Sequence, residues 1–409
     1  MGLNDTPRGE RLHIALFGKR NAGKSSIINA LTNQNIAIVS DQKGTTTDPV
    51  YKAMELLPLG PVVIIDTPGL DDEGDLGLLR IKKAKEVLLK TDVALIVVDA
   101  TTGISSFEHE LILEIKEKNV PFLLLFNKND LADQKIDKNE LKASLSAKYE
   151  TKILFVSALT KEGIEEVKEE LGKYEKTREA QEKRIVADLL EPGDFVVLVV
   201  PIDKAAPKGR LILPQQQTIR DILDAGAVSI VCRDTELADT LERLGAKPKL
   251  IITDSQAFGK VSKIVPKDML LTSFSILFAR YKGELADLVE GARTLNKLED
   301  GDKILMAEGC THHRQCDDIG TVKIPNWIRQ YTTKNIVIET SSGTGFPEDL
   351  TSYKMIVHCG ACTLNEKEMK SRIARAKEQG IPMVNYGILI AYMNGILERS
   401  VEPFPDILK

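Results

Sequence analysis

Cysteine is scarce in this sequence, with five residues among 409. Four of the five lie in two short stretches, GCTHHRQC at 309–316 and HCGAC at 358–362. The fifth, Cys232, lies in the apolar run AVSIVC, which is typical of a small residue packed in a core. Where thiols stay reduced, cysteines clustered beside histidines indicate a metal site rather than disulfides.

Long apolar runs and an excess of positive charge are also missing. No apolar run approaches the roughly 20 residues that span a bilayer. The first residues, MGLNDTPRGERLHIALFG, lack the cationic start and long apolar run of a signal peptide. The net charge is −5, and no basic patch of the kind that binds nucleic acid or anionic membranes is obvious. We therefore expect a cytoplasmic protein that binds neither nucleic acid nor membrane.

A glycine-rich motif stands out near the start of the chain. The apolar run HIALFG leads into GKRNAGKS, Gly18–Ser25, and then into the helix-like segment SIINALTN. This is G-x-x-x-x-G-K-[ST] between a strand and a helix, the arrangement in which backbone N–H groups and the helix dipole hold phosphates. We expect Lys24 to reach the β- and γ-phosphates and the Ser25 hydroxyl to hold magnesium.

Three further strand ends carry polar residues. In VVIIDTPG, Asp66 would act on the magnesium ion and the Gly69 amide would sense the γ-phosphate. In NKND, Asp130 can accept two hydrogen bonds from guanine, whereas adenine lacks that pair of donors. The third, ILFVSAL, supplies Ser157 and Ala158. The predicted nucleotide-binding residues are Gly18, Asn21, Gly23, Lys24, Ser25, Ser26, Asn127, Lys128, Asp130, Ser157 and Ala158.

These motifs together give residues 11–175 a resemblance to a translation-factor-class GTPase domain, with GKRNAGKS, DQKGTTTD, DTPG, NKND and SAL similar to the Era- and TrmE-like branch. The resemblance implies that Thr46 contacts magnesium and the γ-phosphate, and that Asn21 marks a potassium ion beside the phosphates. Leu70 stands where Ras-like enzymes carry a water-positioning glutamine, so we expect slow hydrolysis and a regulatory role. The expected catalytic residues are Lys24, Thr46, Asp66 and Gly69.

Alternating strands and helices follow the GTPase region. From 193 to 253 the pattern is βαβαβ, which predicts a small parallel sheet with a structural or self-association role. From about 270 the alternation starts again with one amphipathic helix over 273–295, followed by four strands. The prediction is an α/β protein in which a P-loop GTPase domain, 8–180, precedes two α/β domains with mainly parallel sheets, 185–268 and 269–409.

The two cysteine stretches lie at strand ends of the last domain. Cys310 follows one strand and Cys359 ends another, and ligands of open α/β sheets bind beyond the carboxyl ends of strands. Buried packing is one interpretation, but His312 and its neighbours are too polar for it. A structural zinc site would use Cys310, His312, Cys359 and Cys362, although C-x-H is tighter than the usual spacing. An iron–sulfur cluster can assemble from thiolates on separate loops. Residue chemistry alone leaves zinc and iron–sulfur open.

The order of these motifs resembles a known family. A GTPase domain, a small α/β module and a domain with C-x-H…H-C-x-x-C are together similar to the FeFe-hydrogenase maturation GTPases, over essentially the whole chain. The resemblance implies a 4Fe–4S cluster ligated by Cys310, Cys359 and Cys362. The neighbouring candidates for the remaining iron are His312, His358, Cys316 and Asp317. Cys316 is the strongest ligand chemically but belongs to no part of the family motif, and an imidazole or carboxylate would exchange more readily.

The same resemblance implies a function and partners. It implies a homodimer formed through the middle domain, and a scaffold or carrier for the hydrogenase diiron subcluster precursor. The implied partners are the radical S-adenosylmethionine maturases HydE and HydG and the apo-hydrogenase, and the implied cofactors are the cluster, GTP or GDP, Mg²⁺ and K⁺. A second class stays open, an Era-like ribosome-assembly GTPase with a structural zinc site. That class would show a basic RNA-binding face, and the acidic balance of the chain argues against it.

Overall fold

The structure is a computed structural model that describes residues 6–33, 48–69, 75–132, 137–180, 183–202, 211–309, 318–343 and 345–407. The chain divides into two compact units, Met1–Glu182 and Lys183–Lys409. Both units are α/β, as the sequence predicts. Within the described ranges, no helix is both long enough and apolar enough to cross a membrane.

The first unit is built on a six-stranded sheet. Its strands are β1 (Leu12–Phe17), β2 (Val50–Leu56), β3 (Gly60–Asp66), β4 (Val93–Asp99), β5 (Phe122–Asn127) and β6 (Lys152–Phe155). Its helices are α1 (Lys24–Thr32), α2 (Asp75–Leu88), α3 (Ser106–Glu117), α4 (Lys138–Tyr149) and α5 (Ile164–Ala180). The strand order is β2-β3-β1-β4-β5-β6, with β2 antiparallel to β3 and the other pairs parallel.

The central strands β1, β4 and β5 are mostly apolar because helices cover both faces of the sheet. In β1, Ile14 and Leu16 pack into one core while Ala15 and Phe17 pack into the other. Successive side chains of a strand point to opposite faces, which explains this division. The parallel strands end at one edge of the sheet, and that edge therefore collects the loops that carry the nucleotide motifs.

The second unit contains two four-stranded parallel sheets. The first is ordered β10-β9-β7-β8, from β7 (Phe195–Val199), β8 (Val228–Cys232), β9 (Leu250–Thr253) and β10 (Leu271–Ser273). The second is ordered β12-β11-β13-β14, from β11 (Lys303–Glu308), β12 (Val337–Ser342), β13 (Met355–His358) and β14 (Met383–Asn385). The helices are α6 (Leu213–Asp224), α7 (Leu237–Leu244), α8 (Phe258–Ile264), α9 (Phe274–Lys282), α10 (Leu285–Ala292), α11 (Ile324–Thr332), α12 (Glu366–Glu378), α13 (Tyr386–Met393) and α14 (Leu397–Val401).

The two sheets of the second unit share one continuous hydrophobic core. Val197 and Ile251 of the first sheet belong to the same cluster of buried residues as Leu305 and Val357 of the second. Strand β10 pairs with β9, so the first sheet continues past residue 268, where the sequence analysis placed a domain boundary. The boundary itself stays a prediction.

The helix predicted over 273–295 is wrong as one continuous element. It breaks at Gly283, whose extended backbone (φ −141°) separates α9 from α10. A Cβ at Gly283 would lie 3.0 Å from the carbonyl oxygen of Ala279 and from Ile373 Cδ1. Glycine is a poor helix former, and here it lets the chain turn close to α12. The break leaves Lys282 as the last residue of α9.

Close packing of α10 on β14 generates a stability prediction. A Cβ at Gly291 would come within 2.0 Å of the backbone oxygen of Met383. Because that contact is with backbone, Gly291→Ala is expected to lower the free energy of unfolding by about 1–3 kcal/mol, measured by urea denaturation.

Gly172→Ala in α5 is the matched helical control. Its Cβ would meet only Pro58 Cγ, at 3.8 Å. This change should raise the free energy of unfolding of its own unit by about 0.5–1 kcal/mol. A Gly291→Ala variant as stable as the wild type would contradict this close approach of α10 to β14.

Candidate functional site

The glycine-rich loop joins β1 to α1 at the carboxyl edge of the first sheet. Gly18 has φ +145°, and a Cβ there would lie 2.2 Å from the carbonyl oxygen of Val97. Gly23 has φ +92°, and its Cβ would lie 2.1 Å from Asn127 Nδ2. Neither position can carry a side chain. The two motif glycines therefore let the loop pass directly against β4 and β5.

Lys24 and Ser25 begin α1 and point to separate partners. The Lys24 ammonium donates to the carbonyl oxygens of Gly18 and Lys19, each at 2.8 Å. The Ser25 hydroxyl donates to Asp66 Oδ2 at 2.8 Å. Burial raises the pKa of the Asp66 carboxyl, and the Ser25 hydrogen bond and the Lys24 charge oppose that rise. A hydroxyl beside a desolvated carboxylate offers the oxygen ligands that Mg²⁺ prefers.

Asn127 ties the phosphate loop to a neighbouring strand end. Its Nδ2 donates to the carbonyl oxygen of Ala22 at 2.9 Å, and its Oδ1 accepts from the Ala158 N–H at 3.0 Å. Ser157 is fully buried, and its hydroxyl accepts from the Thr160 N–H at 3.1 Å. The side chains of Asn127 and Ser157 therefore hold in place the loops that surround the predicted nucleotide position.

An ion pair that the sequence analysis missed lies beside the NKND loop. Lys128 has a left-handed backbone (φ +64°), and its ammonium lies 2.6 Å from Asp99 Oδ2 at the end of β4. Partial burial acts to raise the pKa of Asp99, but hydrogen bonds from Lys128 and Thr101 outweigh it, so the pKa is lowered. The sequence carried the signal, because VALIVVD ends in aspartate as VVIID does. Asp130 is exposed, as a base-reading carboxylate must be.

The structure describes some of the remaining predicted residues of the nucleotide site and not others. Gly69 lies against the glycine-rich loop, since a Cβ there would be 2.8 Å from Arg20 Cα. Asn21 is exposed on that loop with φ +59°, and Ser26 is half-buried in α1. Thr46 and Leu70 lie outside the described residues.

In the second unit, the cysteine loop, residues 359–364, begins where β13 ends. The Cys359 N–H donates to the carbonyl oxygen of Ala307 at 2.9 Å. The Cys359 sulfur accepts hydrogen bonds from the N–H of Gly309 at 3.1 Å and of Ala361 at 3.4 Å. Cys359 and Cys362 are both half-buried. Backbone donors of this kind favour the thiolate form that binds metal.

Gly309 brings the first cysteine stretch to the second, because it immediately precedes Cys310 and its N–H reaches Cys359. Cys310, His312, Cys316 and Asp317 themselves lie outside the described residues. Among the residues that the structure does describe, no three histidine, cysteine or acidic side chains form a metal-binding group. Two accessible thiols with N–H donors on one sulfur fit two of the three cluster ligands that the family resemblance implies.

His358 is fully buried beside the cysteine loop. Its Nδ1 donates to the carbonyl oxygen of Cys359 at 2.8 Å, and its Nε2 accepts from the Arg372 guanidinium at 3.1 Å. Burial first, and then the charge of Arg372, lower the pKa of His358 to about 3, so the imidazole is neutral. Both ring nitrogens are engaged within the protein, and iron ligation by His358 would require losing the Arg372 contact.

Arg372 is a further residue that sequence reasoning missed. Its guanidinium also donates to the carbonyl oxygen of Gly343 at 2.6 Å and to Glu368 Oε1 at 2.8 Å. It thereby links α12 to the ends of β12 and β13. No motif marks it, because His358 and Gly343 lie on other elements and only Glu368 is on its own helix.

Family models match three consecutive segments of the chain. Residues 13–128 match the model described as a 50S ribosome-binding GTPase. Residues 185–283 match the hydrogen maturase F dimerization domain, and residues 286–403 match the hydrogen maturase F tetramerization domain. The first match and the phosphate-loop geometry define the protein as a P-loop GTPase, which binds GTP or GDP with Mg²⁺. The two hydrogen maturase F models together match more than half of the chain, and the chain belongs to that family, whose two matched domains are self-association domains.

Curated proteins with similar sequences are GTPases. The tRNA modification GTPase MnmE of Desulforamulus reducens is 38% identical over 161 residues, which is 39% of this chain and 34% of that protein. GTPase Der of Xanthomonas oryzae pv. oryzae is 30% identical over 279 residues, which is 68% of this chain and 57% of that protein. The chain thus spans between about a third and somewhat over half of the length of these two relatives.

Solved structures that are similar to parts of the chain include Era of Aquifex aeolicus and the cytosolic domain of the FeoB iron transporter of T. maritima. Era is 22% identical with a TM-score of 0.36, over 57% of this chain and 98% of that one. The FeoB domain is 27% identical with a TM-score of 0.32, over 44% of this chain and 69% of that one. The sequence-based resemblance to FeFe-hydrogenase maturation GTPases is confirmed by the family models.

The exposed Asp130 generates a prediction on base specificity. Asp130→Asn replaces one hydrogen-bond acceptor for guanine with a donor, so GTP affinity should fall by about tenfold or more. Affinity for a xanthine nucleotide, which carries an oxygen in place of the amine, should rise. Calorimetric titration with GTP, XTP and ATP measures both changes.

Asp137→Asn is the matched control for that substitution. Asp137 caps α4 by accepting from the N–H groups of Asn139 and Glu140, and asparagine caps helices equally well. Its nucleotide affinities should equal those of the wild type. Equal competition of ATP and GTP in the wild-type protein would contradict the role of Asp130.

Proposed function

We propose that this protein is a GTP-binding scaffold and carrier that assembles the diiron subcluster precursor and delivers it to FeFe-hydrogenase. In this proposal it holds a 4Fe–4S cluster at the carboxyl edge of the second sheet of the second unit, and it hydrolyses GTP slowly. The observation that carries the proposal is the hydrogen bond from Gly309 to the Cys359 sulfur, which joins the two cysteine stretches of a hydrogen maturase F chain.

Three thiolates would hold the cluster, from Cys310, Cys359 and Cys362. Soft thiolate ligands suit both iron–sulfur clusters and zinc, and N–H donors to sulfur are among the features that set cluster potentials. His312 or Asp317 would serve the remaining iron as a weaker, exchangeable ligand. When bound, the cluster supplies an iron whose remaining position can exchange ligands, which a carrier needs in order to accept and release cargo.

The GTPase unit would act as a regulator of this cargo handling. Lys24 would bind the β- and γ-phosphates, Ser25, Thr46 and Asp66 would serve the magnesium ion, and Gly69 would report the γ-phosphate. Leu70 in place of a water-positioning glutamine supports slow hydrolysis. Asn21, exposed on the phosphate loop, supports a potassium ion there.

The proposed partners are HydE, HydG and the apo-hydrogenase. The proposed oligomer is a homodimer formed through residues 185–268, and the proposed location is the cytoplasm. The matched dimerization domain supports the homodimer. An Era-like role in ribosome assembly with a structural zinc site is not favoured, because hydrogen maturase F domains make up the rest of the chain.

Iron content tests the cluster directly. Anaerobically purified protein should be brown and contain iron rather than zinc. Cys310→Ala, Cys359→Ala and Cys362→Ala should each strip most of the iron, because each removes one of three strong ligands. Elemental analysis and electron paramagnetic resonance of the reduced protein measure the loss.

Cys232→Ala is the matched control for these variants. Its thiol is buried in β8, and burial raises the pKa of that thiol, so it should not contribute to a cluster. Iron content should remain at the wild-type level. Zinc in place of iron would contradict the proposal. If Cys316→Ala loses as much iron as Cys359→Ala does, Cys316 is a fourth thiolate ligand and the cluster has no exchangeable site.

Potassium should accelerate GTP hydrolysis relative to sodium at fixed ionic strength. A cation beside the phosphates would stabilise the charge that develops between the β- and γ-phosphates, as an arginine finger does. Asn21→Ala should remove most of the difference between the two salts. Equal rates in the two salts for the wild-type protein would exclude the potassium site.

A further inference from the structure

A buried lysine lies beneath the cysteine loop. Lys282 is the last residue of α9, and only 2% of it is exposed. Its ammonium donates to the carbonyl oxygen of Leu364 at 2.9 Å and to those of Ala361 and Cys362 at 3.4 Å each. The segment that carries Cys359 and Cys362 is therefore held by hydrogen bonds from one buried cation.

This placement is costly unless the ammonium is well satisfied. Lysine is rarely buried, because an ammonium loses its hydration in the interior. Its three N–H donors match three carbonyl oxygens of a single loop. The end of α9 adds a favourable field, since the carboxyl end of a helix is negative. The ring of Phe278, one turn earlier, lies 5.9 Å from the ammonium. The buried ammonium is thus satisfied mainly by carbonyl oxygens of the cysteine loop.

The loop contains a strained residue at the point of contact. Ala361 has φ +53°, a left-handed conformation that residues with a Cβ rarely adopt. Its carbonyl oxygen accepts from Lys282, and its N–H donates to the Cys359 sulfur. Such a conformation persists only where its surroundings impose it. The Lys282 ammonium and the Cys359 sulfur therefore contact Ala361 on its carbonyl and its N–H, and Ala361 lies between the two cysteines in the chain.

We propose that Lys282 is a positioning residue of the cluster site, with two effects. It holds the cysteine loop in the conformation that presents Cys359 and Cys362, and its positive charge raises the reduction potential of the cluster. The second effect follows because a cluster bound by three thiolates gains negative charge on reduction, and a nearby buried cation stabilises the reduced form more. The inference rests on the proposed function.

Two substitutions separate the hydrogen bonds from the charge. Lys282→Met removes the N–H donors and the charge at similar volume, whereas Lys282→Gln removes the charge and keeps N–H donors. Lys297→Met is the matched control, because Lys297 is an exposed lysine in the same unit. Solvent screens an exposed charge.

Hydrogen exchange of the metal-free proteins measures the first effect. In Lys282→Met, the amides of residues 360–364 should exchange at least tenfold faster than in the wild type. Lys282→Gln should protect them better than Lys282→Met does. Lys297→Met should match the wild type at these amides.

A redox titration of the reconstituted proteins, followed by electron paramagnetic resonance, measures the second effect. Both Lys282 variants should shift the one-electron redox equilibrium toward the oxidised cluster by about tenfold, which is about 59 mV. Lys282→Met should also retain less iron per chain than Lys282→Gln. Lys297→Met should keep the wild-type potential and iron content.

The outcomes separate this inference from the proposed function. A wild-type protein that takes up no iron refutes the proposed function, and the charge effect of Lys282 with it. A wild-type protein that holds the cluster, with Lys282 variants that match its exchange and potential, refutes only the role of Lys282. Faster exchange throughout the unit with an unchanged potential in Lys282→Gln would make Lys282 a structural residue, and that also overturns the inference.

Discussion

Parallel strand pairing determines which residues meet at each site. In the first unit, β1 pairs with β3 so that Leu16 lies beside Asp66, and the residues that follow each strand leave the sheet at the same edge. In the second unit, β11 pairs with β13 so that Ala307 lies beside His358, and Gly309 then reaches the Cys359 sulfur. A shift of either register by one residue would turn the side chains to the other face and separate these groups. Both candidate sites depend on the pairing of two strands that are distant in sequence.

The charges buried at the two edges suit different ligands. At the nucleotide edge, Asp66 is a desolvated carboxylate beside a hydroxyl, and a divalent cation would compensate its lost hydration. At the cysteine edge, the buried charged groups of the described residues include the cations Lys282 and Arg372 and the carboxylate of Glu308, and Arg372 is paired with Glu368. Only Lys282 donates directly to the cysteine loop, and in the proposed function its charge would offset part of the negative charge of a thiolate-bound cluster.

Sequence reasoning was sufficient where one short segment sets the chemistry. Gly18 and Gly23 could be predicted because the backbone approaches Val97 and Asn127 too closely for any side chain, and that requirement appears directly as glycine in a motif. The α/β class followed from the alternation of apolar strands and helices. The break at Gly283 was missed, because a lone glycine in an amphipathic pattern does not reveal that α12 packs against it. Lys282 and Arg372 could not be found at all, because neither belongs to a motif. Lys282 acts on a loop that is distant in sequence, and Arg372 joins the ends of two strands that only the folded sheet brings together.

The central claim is that iron binds at the carboxyl edge of the second sheet of the second unit, on thiolates from both cysteine stretches. The most direct measurement is an anomalous difference map from anaerobically grown crystals, with data collected on both sides of the iron absorption edge. We expect an iron-specific peak within bonding distance of the sulfurs of Cys359 and Cys362 and next to Cys310, which follows Gly309 in the chain. A peak at that position that scatters at the zinc edge instead, or iron found only elsewhere in the chain, would contradict the account.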